Sequence, residues 1–168
     1  MNEELQKLFN NLIQIEHVST TLYLAMSAYM GKLNYTGMAH WLRLQSEEER
    51  AHMLTLIDFV VNRDGTVQIA SLPAQPSDYG SPLELFQKVL EHEQFVTNAY
   101  RKAYTYAVQA DPQAALIIQD FLREQIDEEA QVKTIIDRLK IADGNPAALL
   151  QIDQELGARK NAAPPAAG

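Results

Sequence analysis

The sequence predicts an all-α fold, a four-helix bundle with one long crossover between the second and third helices and a short fifth helix at the C-terminal end. Three observations predict it. Apolar residues recur at helical spacing over four long segments. Capping residues, glycines and prolines separate these segments. Two of the links between the long segments are short, whereas the third, DGTVQIASLPAQPSDYG, has 17 residues.

The first two helices form one hairpin. The first begins after Asn2, a residue type that caps helix N-termini, and runs to about Gly31. The second runs from about Thr36 to Arg63, and Gly65 is its stop signal. Because only a few residues join them, we expect the two helices to pack antiparallel.

The third helix has the strongest start signal of the chain. In SPLE, Ser81 is the cap, Pro82 takes the first helical position, and Glu84 completes a capping box. The helix continues to about Gln109. These residues fix the end of the crossover at the start of this helix.

The fourth and fifth helices each open with a capping residue followed by proline. The fourth opens at Asp111 and runs to about Ala142. The fifth is short, opens at Asn145 and ends near Leu156. The link between the third and fourth helices is again short, so we expect a second antiparallel hairpin.

The length of the crossover decides how the two hairpins are joined. A helix of about 28 residues is roughly 42 Å long. An extended link of 17 residues spans roughly 56 Å, enough to run the full length of the bundle. We therefore expect the second and third helices to be parallel. Within the crossover, TVQIA alternates like a short strand, and we expect it to pair with another segment.

Composition excludes several classes of protein. A formal net charge of −8 argues against a nucleic-acid partner, and the absence of cysteine excludes disulfides and thiolate metal sites. No segment has the length and hydropathy of a membrane span, and MNEELQKLFNN does not resemble a signal peptide, so we expect a cytoplasmic protein. We expect one domain over residues 1–157 and a disordered tail over 158–168, which ends in NAAPPAAG.

Each long helix carries polar residues on its apolar face, near the middle of its length. A buried, unpaired carboxylate costs several kcal/mol, whereas a folded domain has only about 5–15 kcal/mol of stability. No lysine or arginine shares these faces, so the carboxylates need bound cations. Carboxylates with one imidazole suit divalent iron, manganese or zinc. The inward residues are Glu16, Glu49, His52, Glu93, Glu124, Gln125 and Glu128.

Each of these signals is weak when taken alone. A single Glu-x-x-His is usually a solvated pair on a helix surface. We expect Glu47 and Glu129 to lie on outer faces, and His17, His40 and His92 to be ordinary hydrogen-bonding histidines. The metal site is predicted by the coincidence of inward carboxylates on four separate helices.

Four segments carry a resemblance to a known family. They are IEHVSTTLYLAM, EEERAHM, EHEQFVTNAY and FLREQIDEEAQVKTIIDRL, one from each long helix. Over residues 3–156 the chain resembles the bacterial non-haem ferritins. The resemblance implies that 24 subunits form a hollow shell, that ferrous iron is oxidised by O2 or H2O2 at a di-iron centre inside each bundle, and that ferric mineral is stored in the cavity.

The resemblance also implies a role for each inward residue. Glu16, Glu49 and His52 would hold the first iron, with Glu49 bridging to a second iron held by Glu93 and Glu128. Gln125 would orient a ligand, and Tyr23 would be a one-electron donor beside the centre. A third, weaker iron position would use Glu48, Glu124, Asp127 and Glu128; the family usually has glutamate where this chain has Asp127, which shortens the reach of that ligand.

Two departures from the haem-carrying relatives predict that no haem is bound. Arg50 stands where bacterioferritins have methionine, and Gln125-x-x-Glu128 replaces their second Glu-x-x-His. The segment QAALIIQD is mostly apolar where animal ferritins have acidic channel residues, which favours iron entry close to the di-iron centre. The alternatives are a di-iron oxidase or peroxidase without a storage shell, a small DNA-protecting shell and a metal-free helical interaction protein.

Overall fold

The computed structural model describes residues 1–160 and contains five α-helices. They are α1 (Glu3–Lys32), α2 (Thr36–Asn62), α3 (Pro82–Ala110), α4 (Pro112–Ala142) and α5 (Pro146–Leu156). The predicted fold class is confirmed, and each helix begins and ends within about one residue of its predicted limits. The caps explain this agreement: Asn2 accepts a hydrogen bond from the amide of Leu5, and Ser81 and Glu84 form the predicted capping box.

The arrangement of the helices follows from the two apolar clusters of the core. One cluster joins the C-terminal halves of α1 and α4 with the N-terminal parts of α2 and α3. The other joins the opposite ends of the same four helices. The starts of α2 and α3 therefore lie at the same end of the bundle, which makes these helices parallel and requires the crossover to run the length of the bundle.

The crossover differs from the prediction in one respect. TVQIA forms no strand, and none is present within residues 1–160. Its backbone instead pairs with amide side chains of α1: the amide of Thr66 donates to Gln6 Oε1 at 2.7 Å and that of Gln68 to Asn10 Oδ1 at 2.6 Å. Asn10 also donates to the Thr66 carbonyl at 2.9 Å. The segment runs along a helix with no neighbouring strand, so side chains satisfy backbone groups that a ladder would otherwise pair.

Helix α5 is fastened to the start of α2. The residue before α2, Tyr35, provides no side-chain cap, and Asp153 of α5 takes over this role by accepting a hydrogen bond from the Met38 amide at 2.8 Å. A Cβ on Gly37 would lie 1.7 Å from the carbonyl oxygen of Asp153, so only glycine permits this approach of the two backbones.

The two apolar clusters leave a layer of buried polar residues between them, at mid-length of the bundle. This layer is described below. Within residues 1–160, no helix has the length and apolar character needed to cross a bilayer. Of the predicted disordered tail, residues 161–168 lie outside the described part of the chain, while Arg159 packs over the indole ring of Trp41. The domain boundary at 157 stays a prediction.

Candidate metal centre

All four long helices contribute side chains to the polar layer. On each side of the layer, apolar residues of the four helices pack into one of the two core clusters. This packing holds the polar side chains at the same height in the bundle. The buried polar residues of the layer are Glu16 and Ser19 from α1, Gln45, Ser46 and Glu49 from α2, Glu93 and Thr97 from α3, and Gln125 and Glu128 from α4.

Glu16, Glu49 and His52 form the tightest group. One ligand atom from each lies within 4.8 Å of the other two, and among the described residues these are the atoms best placed to hold a metal ion. Glu49 and His52 lie one helical turn apart, with Nδ1 of His52 3.1 Å from Oε2 of Glu49. The other ring nitrogen of His52, Nε2, lies 3.1 Å from Oε2 of Glu124.

The hydrogen bonds of Glu16 leave one oxygen without a partner. The hydroxyl of Tyr100 donates to Oε1 of Glu16, whereas Oε2 is buried and has no hydrogen-bond partner. A buried carboxylate oxygen without a donor costs free energy unless a proton or a cation satisfies it. Because Glu16 belongs to the group formed with Glu49 and His52, the residues present fit a divalent cation with oxygen and imidazole ligands.

Glu93 lies on the α3 side of the layer and is held by two neighbours. The hydroxyl of Tyr23 donates to its Oε1, and Nε2 of Gln125 donates to its Oε2 at 2.9 Å. Gln125 also donates to Thr97 at 3.3 Å and to the Glu93 carbonyl at 3.2 Å. Tyr23 and Gln125 therefore both contact the Glu93 side chain directly.

Gln45 connects Glu49 with Glu128. This glutamine is fully buried, and its Nε2 donates to Oε1 of Glu49 at 3.0 Å and to Oε2 of Glu128 at 2.9 Å. Sequence reasoning overlooked it, although a signal existed: Gln45 precedes Glu49 by four residues and so lies on the same inward face. Tyr100 was not among the expected site residues, because helical spacing does not reveal where a hydroxyl points.

In the group of Glu16, Glu49 and His52, two carboxylates lie beside one imidazole. The pKa values of all three side chains are shifted as a result. Burial and the charge of Glu49 raise the pKa of Glu16 well above its usual value. Burial opposes ionisation of Glu49 as well, but the hydrogen bond and charge of His52, together with the hydrogen bond from Gln45, hold its pKa below the usual value. Burial disfavours charge on His52, yet hydrogen bonds to Glu124 and Glu49 raise its pKa to about 11. Without metal, protons supply the positive charge that these carboxylates need.

The pKa values of Glu93 and Glu128 are raised for the same reason. Burial and the charge of Glu49 raise the pKa of Glu128 to about 8, and they also raise the pKa of Glu93. Burial and the nearby Glu93 carboxylate raise the pKa of Tyr23 well above its usual value. A divalent cation reverses this balance by favouring the ionised carboxylates and expelling their protons.

The residues expected to form the third iron position do not lie close together in this structure. Glu48 binds Nη2 of Arg159 at 2.7 Å, and Glu124, with 55 % of its side chain exposed, contacts His52 instead. Asp127 is exposed. The side chains of Glu48, Glu124 and Asp127 therefore lie around the rim of the layer, and they are not part of the close ligand group.

The residues expected to be ordinary have identifiable positions. Glu47 is exposed, whereas Glu129 is partly buried and accepts hydrogen bonds from Thr97 and Lys133, both at 2.9 Å. His92 lies 2.7 Å from the hydroxyl of Ser19, and burial lowers the pKa of its imidazole.

Comparison with known proteins identifies similar sequences over most of the chain. The family described as "Ferritin-like domain" matches residues 6–142. A bacterial non-heme ferritin of Bacteroides fragilis (strain 638R) is 34 % identical over 160 residues, covering 95 % of this chain and 99 % of that protein. A bacterial non-heme ferritin of Escherichia coli O6:H1 is 32 % identical over 155 residues, covering 92 % and 93 % respectively.

Solved structures give the same result for the fold. An open-pore ferritin from the archaeon Archaeoglobus fulgidus superposes with a TM-score of 0.93 at 33 % identity, covering 95 % of this chain and 99 % of that one. A structure described as a humanized archaeal ferritin reaches a TM-score of 0.95 at 31 % identity, covering 97 % and 99 %.

Proposed function

The chain belongs to the ferritin family, and on this premise we propose that it is a ferroxidase that oxidises Fe(II) to Fe(III) and stores the ferric product. The observation that carries the proposal is the group formed by Glu16, Glu49 and His52, whose ligand atoms lie within 4.8 Å of one another in the middle of an otherwise apolar bundle. Iron is the substrate and the cargo of this protein.

The proposed di-iron centre divides the buried residues into two ligand sets. Glu16, Glu49 and His52 hold the first ferrous ion, and Glu93 and Glu128 hold the second. Glu49 would bridge the two ferrous ions. Its place between the two ligand sets supports this role, because one of its oxygens contacts His52 and the other is linked through Gln45 to Glu128. Two ferrous ions supply the two electrons that reduce O2 to H2O2, or H2O2 to water, and the carboxylates stabilise the ferric products.

The remaining residues orient this centre. Gln125 fixes Glu93 through its Nε2 donor, as an outer partner that orients a metal ligand. Glu48, Glu124, Asp127 and Glu128 remain the proposed third and weaker iron position. Glu124 and the edge of His52, whose side chain is 15 % exposed, lie where the centre meets the surface, and we place iron entry there.

Tyr23 is the proposed one-electron donor. We expect Tyr23→Phe still to bind both ferrous equivalents, because the hydroxyl donates to Glu93 and is not itself a ligand, and to alter the later phase of oxidation. Stopped-flow absorbance with Tyr106→Phe, an exposed tyrosine, as control measures this. Traces identical with those of the parent protein would exclude a redox role for Tyr23.

The finer features of the proposal concern assembly and cofactor. We propose a homo-oligomeric shell of 24 subunits in the cytoplasm, without haem and without a nucleic-acid partner. The absence of haem is supported by Arg50 in place of a methionine and by Glu128 in place of the histidine of a second Glu-x-x-His. A net charge of −8 favours cations over polyanions as ligands.

One experiment tests function and assembly together. Anaerobic ferrous titration of the protein is followed by admission of air, with ultraviolet absorbance and particle mass recorded. We expect two tight ferrous equivalents per subunit, a ferric absorbance rise on aeration, and a particle of 24 times the 18.9 kDa chain mass. A titration without binding would refute the proposal. Rapid oxidation by a particle too small to be a shell would favour the alternative, a di-iron oxidase or peroxidase without a storage cavity.

A further inference from the structure

A residue beyond the last helix reaches toward the metal centre. Arg159 folds back over α2, where its guanidinium lies 4.7 Å from the ring centroid of Trp41 and its Nη2 lies 2.7 Å from Oε2 of Glu48. Its Nη1 donates to Oε1 of the buried Gln45 at 2.9 Å. Only 18 % of the Arg159 side chain is exposed, so these contacts hold it in one place.

The contact with Arg159 determines how the Gln45 amide is oriented. Arginine has donors only, so the group that faces it must be the amide oxygen of Gln45. The amide NH2 then points inward, where it donates to Glu49 at 3.0 Å and to Glu128 at 2.9 Å. Reversing the amide would place NH2 against the guanidinium and an oxygen against two carboxylates, which removes all three hydrogen bonds.

We propose that Arg159 is a positioning residue of the metal centre, which holds Glu49 and Glu128 in their metal-ready orientation through Gln45. The inference rests on the assignment of these two glutamates as iron ligands. Glu49 keeps one oxygen on the Gln45 NH2 and the other against His52, its partner in the first ligand set, whereas Glu128 keeps only one oxygen on the Gln45 NH2. Partners of this kind, which orient a ligand without touching the metal, typically change metal affinity by about 10- to 100-fold.

The expected effect of Arg159→Gln is unequal for the two metal ions. Glu128 belongs only to the second ligand set, whereas Glu16 and His52 of the first set are independent of Gln45. We expect the second equivalent to bind about tenfold more weakly and the first to change by less than about threefold. Calorimetric titration with Zn(II) measures both equivalents without any oxidation step.

Two further variants separate positioning from loss of structure. Arg138→Gln removes another arginine ion pair near the C-terminal end, to Glu155, which does not reach the metal centre, and we expect it to bind Zn(II) like the parent. Gln45→Met removes the amide that connects Arg159 with Glu49 and Glu128. Because Arg159 acts through Gln45, adding Arg159→Gln to Gln45→Met should cause no further weakening. Arg159→Lys, which keeps the charge and a single donor nitrogen, should retain part of the affinity.

The outcomes distinguish this inference from the proposed function. If the parent protein binds no Zn(II), the metal centre itself is wrong. If the parent binds two equivalents and Arg159→Gln binds them equally well, only the role of Arg159 is refuted. Equal weakening in Arg159→Gln and Arg138→Gln would refute it too, as would additive effects in the double variant. Should Arg159→Gln fail to fold, the comparison of Arg159→Lys with Gln45→Met decides the question by the same criteria.

Discussion

Glu49→Ala is expected to abolish rapid oxidation of ferrous iron, with a loss of about 100-fold or more in initial rate. Even outer partners of a metal ligand change affinity by about 10- to 100-fold, and Glu49 is the proposed bridging ligand itself. It contacts His52 and Gln45 directly, and its charge raises the pKa of Glu16, Glu93 and Glu128. Its charge therefore acts on carboxylates of both proposed ligand sets.

Stopped-flow absorbance after mixing with Fe(II) in aerated buffer measures the rate. Glu47→Ala is the matched control, because Glu47 lies two residues away on the same helix and is exposed. Particle mass and circular dichroism establish that both variants are folded and assembled. Oxidation by Glu49→Ala at the parent rate would show that the chemistry takes place elsewhere in the molecule.

Glu128→Gln is expected to have opposite effects on stability and on metal binding. Burial and the charge of Glu49 raise the Glu128 pKa from its usual value of 4.5 to about 8. In the metal-free protein at pH 7, keeping this carboxyl mainly protonated costs up to about 3 kcal/mol relative to the unfolded chain. Glutamine is neutral and of the same shape, so we expect the metal-free variant to be more stable and its second metal equivalent to be lost.

The sign of the pH dependence follows from the direction of the pKa shift. The group binds its proton more tightly in the folded state, so its stabilising contribution is complete below pH 4.5 and is lost as the pH rises to about 8. The advantage of Glu128→Gln over the parent should therefore be small near pH 4.5 and should reach its maximum above pH 8.

Urea unfolding of metal-free protein at several pH values measures this difference, with Glu47→Gln as the control. A variant that is less stable than the parent at pH 8 would show that the Glu128 carboxylate is stabilised in the folded protein by contacts the structure does not contain. Saturating Zn(II) should reverse the order of stability, because only the parent gains the second metal ion.

The starts of α1, α3, α4 and α5 were predictable because each has a local cause, whereas the cap of α2 comes from Asp153 of α5. Asn2, Ser81, Asp111 and Asn145 are caps whose side chains accept hydrogen bonds within the first turn, and such contacts depend on residues only a few positions apart. The expected strand at TVQIA was wrong for the corresponding reason. Alternation describes the segment itself, but a strand also needs a neighbour, and here the neighbouring element is helix α1.

The helix faces that carry the candidate metal centre could be predicted from the sequence. Helical spacing placed Glu16, Glu49, Glu93 and Glu128 inward, and all four are buried. Glu124 was also expected inward, and this was wrong, because 55 % of its side chain is exposed. Spacing does not determine side-chain direction or contacts between distant segments. The hydroxyl of Tyr100 on Glu16 spans 84 residues, and the contact of Arg159 with Gln45 spans 114. Such contacts depend on how the helices rotate and pack, which no single segment specifies.

The close approach of Gly37 to Asp153 has a consequence for how firmly α5 is held. The direction in which α5 leaves the bundle is decided by a glycine without a side chain and a carboxylate that caps the neighbouring helix. A single methyl group at position 37 would meet the Asp153 backbone, so it would force α5 away from the start of α2 and leave the Met38 amide without its cap.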